Sequence, residues 1–366
     1  MNADLIHQKF NTALQLGCNF AAMRLPGTHD VHFFYASKMP RMQRVQHQAT
    51  DKPLFFCSPY SASNMAYTFN ADAVFFNDEL IFGELPATNI SATNVWFENP
   101  TGANFLGDAT FYQNYVSQIV TNINKDKFDK VVAARCEHFP FPNTVNYAQL
   151  FADASAKYPD ACIYFFSMDG LGTWLGATPE QLLTLQKGIV QTVALAGTLP
   201  TGDEHQWTDK EFDEQGMIEF FIDNIFKQNS IKNVRISEVE TLEAGNIKHL
   251  CSKFSVKLKE DVLAAKLHKL LGTLNPTPAV CGLPQFEASL YISQNEKMER
   301  RFYSGFVGMQ LPDTSLNLYV NLRCAELFIS HALLYAGAGI TANSDAEKEW
   351  SETQRKLNTM KDLFNN

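Results

Sequence analysis

Residues 162–197 read CIYFFSMDGLGTWLGATPEQLLTLQKGIVQTVALAG, and they indicate the fold class. Four apolar segments, CIYFFSM, GTWLGA, QLLTLQ and GIVQTVALAG, follow one another at short intervals, and turns that contain glycine, such as QKG at 186–188, separate several of them. Strands joined by such short turns pair antiparallel, because a parallel connection needs a crossover of about a dozen residues or more. The stretch therefore predicts antiparallel meanders rather than alternating strands and helices.

Further strands and helices lie in separate parts of the sequence on either side of this stretch. The alternating segment KVVAAR at 130–135 predicts a strand, and three more strands are expected in RFYSGFVGMQ, SLNLYVNLRCAEL and HALLYAGAGI. Helices are expected at 110–125, 208–228 and 261–271. Because sheets and helices are segregated along the chain, the class is predicted to be α+β.

Both ends of the chain are predicted to be helical. The start, MNADLIHQKFNTALQLG, lacks a basic segment followed by an apolar segment and a cleavage site, so it reads as a surface helix rather than a signal peptide. The final helix is expected to begin near Ser344 and Asp345, with Ser344 and Glu347 forming a capping box.

Charge and composition exclude several classes of protein. The 366 residues carry a formal net charge of −9 without a long basic run, which argues against nucleic acid or an anionic membrane as partner, but not against a small anionic substrate. No stretch reaches the roughly 18–20 apolar residues of a membrane span. The seven cysteines include no CxxC pair and are expected to be reduced, buried thiols in a cytoplasmic protein.

Two predicted helices place acidic residues beside their apolar faces. Glu349, Glu352 and Lys356 overlap one edge of the apolar face of the final helix, and Glu211 and Glu214 lie in line with the apolar stripe of the helix at 208–228. Removing a carboxylate from water costs on the order of several kcal/mol unless a counter-charge compensates. Both pairs therefore raise the question of what neutralises them.

Two interpretations of these pairs remain open from the residues alone. Clustered carboxylates without His or Cys suit a hard cation such as Mg²⁺, whereas acidic residues at helix starts also favour the helix dipole and can stay hydrated. The small residues AGAG at 336–339 let a ligand approach the backbone closely. Arg323 and Lys356 could hold a carboxylate beside a metal, although structural salt bridges explain them equally well.

The sequence resembles the chorismate-utilising enzymes, and within them the isochorismate synthases. Six stretches carry the resemblance in the family's order: KVVAAR, TWLGATPEQLL, ALAGTLP, KEFDEQGMI, LNPTPAVCGLP, and RRFYSGFVG with VNLRCAEL and LYAGAGI…EWSETQRK. It implies one large α+β domain over 1–366, with two antiparallel sheets packed face to face and helices outside. The motifs lie within 111–366, and residues 1–110 carry none and are assigned by continuity.

The resemblance also implies a site for chorismate and one Mg²⁺ between the sheets. The ion would bridge the ring carboxylate of chorismate and Glu214 and Glu352, with Glu211 and Glu349 as nearby or water-mediated partners. The second carboxylate would meet Arg323, Lys356 and backbone N–H groups near Gly337. The residues expected to bind substrate are, in chain order, Gly197, Thr198, Asn275, Thr277, Tyr303, Arg323, Gly337 and Lys356.

Two catalytic roles follow from the same resemblance. Lys130 matches the general base that activates water, for which it must be neutral, and burial or a nearby cation would lower its pKa. Glu180 matches the general acid that protonates the departing hydroxyl at ring position 4 while water adds at position 2, so burial should raise its pKa. Without the family, an ordinary surface lysine and a loop glutamate would fit these positions as well.

Three positions discriminate among the activities of the family. The ammonia-using anthranilate synthases typically lack the lysine that matches Lys130, and aminodeoxychorismate synthases carry a nucleophilic lysine where this chain has Ala196. Asn275 replaces the histidine of the usual Leu-His-Pro-Thr segment and cannot exchange a proton, which weakens mechanisms that need an imidazole, including pyruvate elimination.

The resemblance therefore implies an isomerase that forms isochorismate with Mg²⁺ and no organic cofactor. A salicylate synthase and a non-catalytic chorismate-binding homologue stay as alternatives. A cytoplasmic monomer is expected. The residues do not choose between menaquinone, siderophore and salicylate biosynthesis as the use of the product.

Overall fold

The computed structural model describes residues 2–45, 52–62, 64–88, 106–141, 144–201, 206–244, 247–313 and 315–365. Within these ranges the chain forms seven α-helices, twenty strands and one turn of 3₁₀ helix at Tyr60–Ala62. The helices are α1 (Ala3–Leu16), α2 (Ala109–Ile123), α3 (Tyr147–Lys157), α4 (Asp209–Gln228), α5 (Glu260–Leu274), α6 (Gln285–Asn295) and α7 (Ala346–Phe364).

The first sheet has ten strands, and its strand pairs are antiparallel. From one edge to the other they are β16 (Gly282–Leu283), β8 (Lys130–Pro140), β20 (His331–Ile340), β19 (Cys324–Leu327), β10 (Gly172–Thr178), β9 (Cys162–Met168), β1 (Asn19–Arg24), β2 (Val31–Ala36), β6 (Ala73–Phe76) and β7 (Glu79–Gly83).

The second sheet is also antiparallel and has ten strands in the described ranges. In order they are β13 (Arg235–Ile236), β15 (Ile247–Lys257), β12 (Ile189–Pro200), β11 (Gln181–Gln186), β18 (Leu316–Val320), β17 (Phe306–Gln310), β4 (Leu54–Ser58), β5 (Met65–Asn70) and β3 (Arg41–Arg44), with β14 (Glu240–Ala244) also paired to β15.

The inner faces of the two sheets pack against each other, and the helices cover the outer faces. Phe166 and Trp174 of the first sheet share one buried cluster with Phe55, Val307 and Tyr319 of the second. α1, α3 and α7 pack on the first sheet, α4 and α5 on the second, and α2 and α6 beside β8. This arrangement confirms the predicted α+β fold with two face-to-face antiparallel sheets. None of the described helices is both long and apolar enough to cross a membrane.

The chain crosses between the sheets within two of the predicted strand-rich segments. The four segments at 162–197 form the predicted antiparallel hairpins, but β9 and β10 belong to the first sheet, whereas β11 and β12 belong to the second. The segment SLNLYVNLRCAEL was predicted as one strand and is two, β18 in the second sheet and β19 in the first. The break falls at Arg323, whose φ of 47° cannot continue a strand.

Other departures from the sequence predictions have local causes. In RFYSGFVGMQ the strand begins only at Phe306, because Arg301 and Ser304 adopt positive φ angles of 51° and 65° in the preceding turn. The N-cap of α7 is Asp345 rather than Ser344, since the Asp345 carboxylate accepts from the backbone N–H of Lys348 at 2.9 Å.

Several elements were not predicted at all. They include α3, α6 and the three strands between 235 and 257. α6 is short and exposes Phe286 (74%) and Leu290 (46%) while it buries Ile292, so its sequence lacks a clear apolar periodicity. The described residues between 2 and 88 supply seven strands that the sequence did not predict. β1, β2, β6 and β7 extend the first sheet, and β3 to β5 extend the second.

The single domain over 1–366 stays a prediction that unfolding can test. Phe20→Ala in the first sheet and Phe55→Ala in the second should each lower the free energy of unfolding by about 3–5 kcal/mol, because both rings are fully buried. Urea titrations followed by circular dichroism should show one cooperative transition that both substitutions shift. The exposed Phe286→Ala is the control and should change stability by less than about 0.5 kcal/mol. Two separate transitions, each sensitive to only one substitution, would contradict a single unit.

Candidate active site

The two crossings between the sheets lie side by side, and each carries one predicted site residue. Glu180 lies where the chain passes from β10 to β11, and Arg323 lies where it passes from β18 to β19. The backbone N–H of Val320 donates to the carbonyl of Glu180 at 2.9 Å, and that of Ala177 donates to the carbonyl of Arg323 at 3.0 Å. These bonds tie the crossings together, so the local backbone fixes both residues at the same end of the sandwich.

Glu180 is a buried carboxyl group surrounded by cationic side chains. It is 8% exposed, and the hydroxyl of Thr277 donates to its Oε1 at 3.2 Å. Burial raises the pKa of Glu180 to about 7, and the Thr277 hydrogen bond together with the charges of Lys130, Lys356 and Arg323 offsets only part of this effect. The carboxyl group is therefore suited to be protonated and deprotonated near neutral pH.

Lys130, at the start of β8, forms a partly buried ion pair with Glu214 on α4. Its Nζ donates to Oε1 of Glu214 at 2.7 Å, and the lysine is only 5% exposed. The positive charge of Lys130 holds the pKa of Glu214 below its usual range, against the effects of burial and of the Glu352 carboxylate. Glu214 is thus ionised, and the structure brings it to the residue that was predicted as the base.

A second lysine–glutamate pair lies on α7. Lys356 Nζ donates to Oε1 of Glu352 at 2.6 Å and to the carbonyl of Gly337 at 2.8 Å. Lys356 above all, and then Arg323, hold the pKa of Glu352 below its usual range. Because the Glu352 charge in turn raises the pKa of Glu214, the two carboxylates lie within electrostatic reach of each other. The structure thus brings Glu214 of α4 and Glu352 of α7 near each other.

The glycines of β20 make room for two site side chains. A Cβ on Gly339 would lie 2.7 Å from Cε of Lys130, and one on Gly337 would lie 2.9 Å from the hydroxyl of Tyr303. Such distances are shorter than van der Waals contact, so larger residues would displace Lys130 and Tyr303. The sequence suggested that these small residues leave room for a ligand. In the structure the side chains of Lys130 and Tyr303 fill the space beside Gly339 and Gly337.

The backbone of Gly337 also faces an open sheet edge. β19 pairs with β20 only between Ala332 and Leu334, so that beyond Leu334 the described strands flank β20 on the β8 side alone. In an antiparallel strand the N–H and C=O of one residue point to the same side. Since the Gly337 carbonyl accepts from Lys356 at this edge, the Gly337 N–H points towards Lys356 as well.

The other two predicted metal ligands lie at helix starts. One carboxylate oxygen of Glu211 accepts from the backbone N–H of Thr208 at 2.9 Å and from the Thr208 hydroxyl at 2.5 Å, forming the capping box of α4. Glu349 is half-buried in the first turn of α7. Among the described residues no group of three or more His, Cys, Asp or Glu side chains has a geometry that could hold a metal ion. Glu214 and Glu352 lie within electrostatic reach of each other.

The remaining predicted substrate contacts lie on three elements. Gly197 bends β12 with a φ of 64°, and the side chain of the adjacent Thr198 lies outside the described part of the structure. Asn275 ends α5, is buried, and donates its backbone N–H to the carbonyl of Leu271 at 3.1 Å. Tyr303 is buried between the sheets. Asn275 stands two residues before Thr277, so it belongs to the wall that holds Glu180.

His249 is a site residue that the sequence analysis missed. It lies on β15 and is buried, and its Nδ1–H donates to the carbonyl of Gly197 at 2.6 Å. Burial lowers the pKa of His249 to about 4, so the imidazole is neutral at physiological pH. The charges of Arg323, Lys356 and Glu352 also reach it. The available signal was the alternation in IKHLCSKFSVK at 247–257, which indicates a strand next to the motif-bearing β12.

A family model described as chorismate binding enzyme matches residues 91–365 of the chain. The chain belongs to the chorismate-binding enzyme family. This chorismate-binding enzyme is 30% identical to isochorismate synthase MenF of Escherichia coli strain K12 over 269 residues, which are 70% of this chain and 61% of that relative. The matched region thus spans about three fifths of the relative's length.

Two solved structures have the same fold as this chorismate-binding enzyme. Escherichia coli MenF, a menaquinone-specific isochorismate synthase, matches with a TM-score of 0.77 and 21% identity over 96% of this chain and 91% of that one. A Bacillus anthracis protein described as a 2,3-dihydroxybenzoate-specific isochorismate synthase, DhbC, matches with a TM-score of 0.79 and 19% identity over 100% of both chains. At these identities the likenesses show the fold.

The raised pKa of Glu180 predicts a pH-dependent contribution to stability. Its folded pKa of about 7 lies above the ordinary value of 4.5, so this carboxyl stabilises the folded state fully below pH 4.5 and loses that contribution as the pH rises through about 7. In Glu180→Gln the side chain at position 180 is neutral at every pH. The difference in free energy of unfolding between wild type and variant should therefore fall by about 3 kcal/mol from pH 4.5 to pH 8, at 1.36 kcal/mol per pKa unit.

Urea titrations at several pH values measure this difference in free energy of unfolding. The contributions of most other titrating groups cancel, because they are the same in both proteins. Glu79→Gln, on the exposed strand β7, is the matched control and should run parallel to wild type. Equal pH dependence of the wild type and Glu180→Gln would show that the pKa of Glu180 is not raised.

Proposed function

We propose that the protein is an Mg²⁺-dependent isochorismate synthase, an isomerase that converts chorismate to isochorismate. Water adds at ring position 2, the ring double bonds shift, and the hydroxyl at position 4 leaves as water. One observation carries the proposal: the buried carboxyl of Glu180, with its pKa near 7, lies in the electrostatic field of the buried amine of Lys130. The 30% identity to an isochorismate synthase over 269 residues supports the same reaction.

Glu180 is the proposed general acid. Near neutral pH a substantial fraction of the carboxyl groups is protonated, because burial raises its pKa to about 7. The hydroxyl of Thr277 donates to Oε1 and so orients the carboxyl group. In the reaction Glu180 gives its proton to the departing hydroxyl, and the cations around it stabilise the carboxylate that remains.

Lys130 is the proposed general base. Its amine donates to Glu214, so it must lose that proton before it can accept one from water. Any cation that engages Glu214 would compete with this hydrogen bond and so release the amine. The absence of a side chain at Gly339 lets the Lys130 side chain extend into the site.

Charge complementarity supports chorismate as the substrate, because it carries two carboxylates. Arg323, Lys356 and the N–H of Gly337 lie together at the open edge of β20 and suit one carboxylate, with the Tyr303 hydroxyl beside them. Burial lowers the pKa of Arg323 from its ordinary value, but the nearby Glu352 and Glu180 oppose this, so the guanidinium stays charged.

Mg²⁺ fits the donor set of the site. Glu214 and Glu352 are ionised oxygen donors from two helices, which a hard divalent cation with retained waters prefers. When bound there, the ion would neutralise the ring carboxylate of the substrate. The carboxylate of Glu211 accepts a hydrogen bond from Thr208. Glu211 and Glu349 are therefore proposed to act on the ion through water. Lys130 and Lys356 hold the two carboxylates in place by their ion pairs.

His249 gives a specific reason to test for salicylate synthase activity as a second candidate. Asn275 cannot exchange a proton, but a neutral imidazole is present on the opposite side of the site at Gly197. If His249 took part in pyruvate elimination, salicylate and pyruvate would accompany isochorismate. The low pKa of His249 argues against a role as acid.

Product identification tests both candidates. Purified protein is incubated with chorismate and MgCl₂, and the products are separated by chromatography while pyruvate is followed with lactate dehydrogenase. We expect isochorismate without salicylate or pyruvate, and no reaction with excess chelator. Pyruvate release would establish the second candidate. Unchanged chorismate that nevertheless raises the melting temperature would identify a non-catalytic binding protein.

The location, oligomeric state and pathway are further proposals. All seven cysteines are buried free thiols, which supports a reducing compartment such as the cytoplasm. A monomer stays our prediction, which light scattering tests. The product is proposed to enter menaquinone or siderophore biosynthesis, and both pathways consume isochorismate.

Removal of the acid or the base should abolish most of the turnover. Lys130→Ala and Glu180→Gln should each lower kcat by roughly 10²–10⁴-fold while the fold persists, because each takes away one proton-transfer group. Steady-state kinetics at saturating Mg²⁺ measure the effect. The matched controls are Lys157→Ala and Glu79→Gln, which remove half-exposed or exposed side chains away from the site and should retain wild-type rates. Wild-type rates in Lys130→Ala and Glu180→Gln would remove both assignments.

Loss of one carboxylate should change the metal requirement. Glu352→Gln should shift the Mg²⁺ concentration for half-maximal rate upward by at least about 10-fold, because a neutral amide is a weaker ligand for Mg²⁺ than a carboxylate. Glu347→Gln, an exposed residue on the same helix, should leave the titration unchanged. An unshifted titration in Glu352→Gln would count against this residue as a ligand.

A further inference from the structure

Tyr303 lies on a turn whose backbone needs support. Arg301 and Ser304, on either side of it, have φ angles of 51° and 65°, a region that is unfavourable for a residue with a side chain. Such conformations persist only when their surroundings hold them. The hydroxyl of Tyr303 reaches the backbone of Gly337 at the open edge of β20, so the shape of this turn decides where that hydroxyl lies.

The first anchor of the turn is Arg300. Its guanidinium donates to the carbonyls of Val280 at 2.7 Å and Val132 at 2.8 Å and pairs with Glu296. These contacts fix the chain where it arrives from α6. They do not fix the orientation of the next residues, because the following side chain, that of Arg301, extends to a different strand.

The second anchor is a carboxylate in the core. Glu326 lies on β19 with its side chain 1% exposed, and its Oε1 accepts from Nη1 of Arg301. Its other oxygen, Oε2, accepts from the hydroxyl of Tyr335 at 3.4 Å. A buried carboxylate is costly unless it is paired, and removal of the partner leaves an uncompensated charge. Glu326 therefore constrains Arg301 strongly and Tyr335 through a longer, weaker hydrogen bond.

Tyr335 in turn supports the ring of Tyr303. The rings of Trp174 and Tyr335 stack with centroids 5.4 Å apart, and those of Tyr335 and Tyr303 stack at 5.6 Å with an angle of 17° between their planes. Glu326 thus holds the residue two positions before Tyr303 and also the ring on which Tyr303 lies. Through both contacts one carboxylate helps to set the backbone and the ring plane of Tyr303, beside the hydrogen bonds that Tyr60 and Asn321 make to the backbone of the turn.

We propose that Glu326 is a positioning residue, which acts through Arg301 and Tyr335 to hold the Tyr303 hydroxyl at Gly337 for the carboxylate of the substrate. The inference rests on the proposed function for the identity of that substrate. It assigns a role in substrate binding to a side chain that cannot touch the substrate, because Glu326 is enclosed between the sheets beside Trp174.

Glu326→Gln isolates the charge at nearly constant volume. A Gln side chain still accepts one hydrogen bond, but it no longer forms an ion pair with Arg301, so the turn should loosen. KM for chorismate should rise by about 10-fold while kcat changes by less than about 3-fold, because binding depends on Tyr303 whereas proton transfer depends on Lys130 and Glu180. Tyr303→Phe, which removes the hydroxyl itself, should raise KM in the same way.

The double variant Glu326→Gln with Tyr303→Phe is the decisive measurement. If Glu326 acts only by placing the Tyr303 hydroxyl, the double variant should have the KM of Tyr303→Phe alone, since there is no hydroxyl left to misplace. A KM that equals the product of the two separate increases would overturn the proposal, because the two residues would then act independently. An unchanged KM in Glu326→Gln would also overturn it.

Arg24→Gln controls for general destabilisation. Arg24 is a buried arginine that donates to backbone carbonyls, including those of Tyr158 and Ala161, outside the site. This variant should lower the melting temperature without a change in KM. Melting temperatures of all variants are measured in parallel, so that a change in KM can be separated from a loss of stability.

Failure of the proposed function is recognised separately. If the wild type does not convert chorismate, the function is wrong, and hydrogen–deuterium exchange still tests the positioning. Peptides covering 300–305 should exchange at least about 3-fold faster in Glu326→Gln than in the wild type and in Arg24→Gln. Equal exchange in the three proteins would overturn the role of Glu326.

Discussion

The bond between Lys130 and Glu214 is the interaction on which the arrangement of the site depends. Lys130 opens β8 of the first sheet, whereas Glu214 lies on α4, which packs on the second sheet. The bond therefore joins the two layers at the site, in addition to the apolar contacts between the sheets, which have no preferred direction. The Lys130 side chain is 6% exposed and the Glu214 side chain 34% exposed, so the ion pair is partly shielded from water, and its direction helps to align α4 with β8.

Around this bond, other hydrogen bonds also connect different elements of the fold. The amine of Lys356 on α7 holds the carbonyl of Gly337 on β20, and Thr277 after α5 holds Glu180 between β10 and β11. Burial shifts the pKa of Glu180 towards neutrality and paired lysines keep Glu214 ionised, so two carboxyl groups of one site have opposite tasks.

The sequence was sufficient for many of the elements and insufficient for what depends on neighbours in space. Alternation predicted β9 to β12 and β20, whereas helical spacing alone left open whether the acidic edges of α4 and α7 share a site, which the resemblance to the chorismate-utilising enzymes implied. Periodicity shows which face of a strand is buried, but not which sheet the strand joins, so the crossings at Glu180 and Arg323 were not visible. The space that Gly339 leaves for Lys130 depends on the pairing of β20 with β8. His249 was missed because its strand was missed.

The paired crossings have a mechanical consequence. Glu180 and Arg323 each lie in a short crossing between the two sheets. Backbone hydrogen bonds from Ala177 and Val320 connect the two crossings. A displacement of one sheet relative to the other would therefore move Glu180 and Arg323 together. The distance between the carboxyl group and the guanidinium would then be preserved while the space beside them changes.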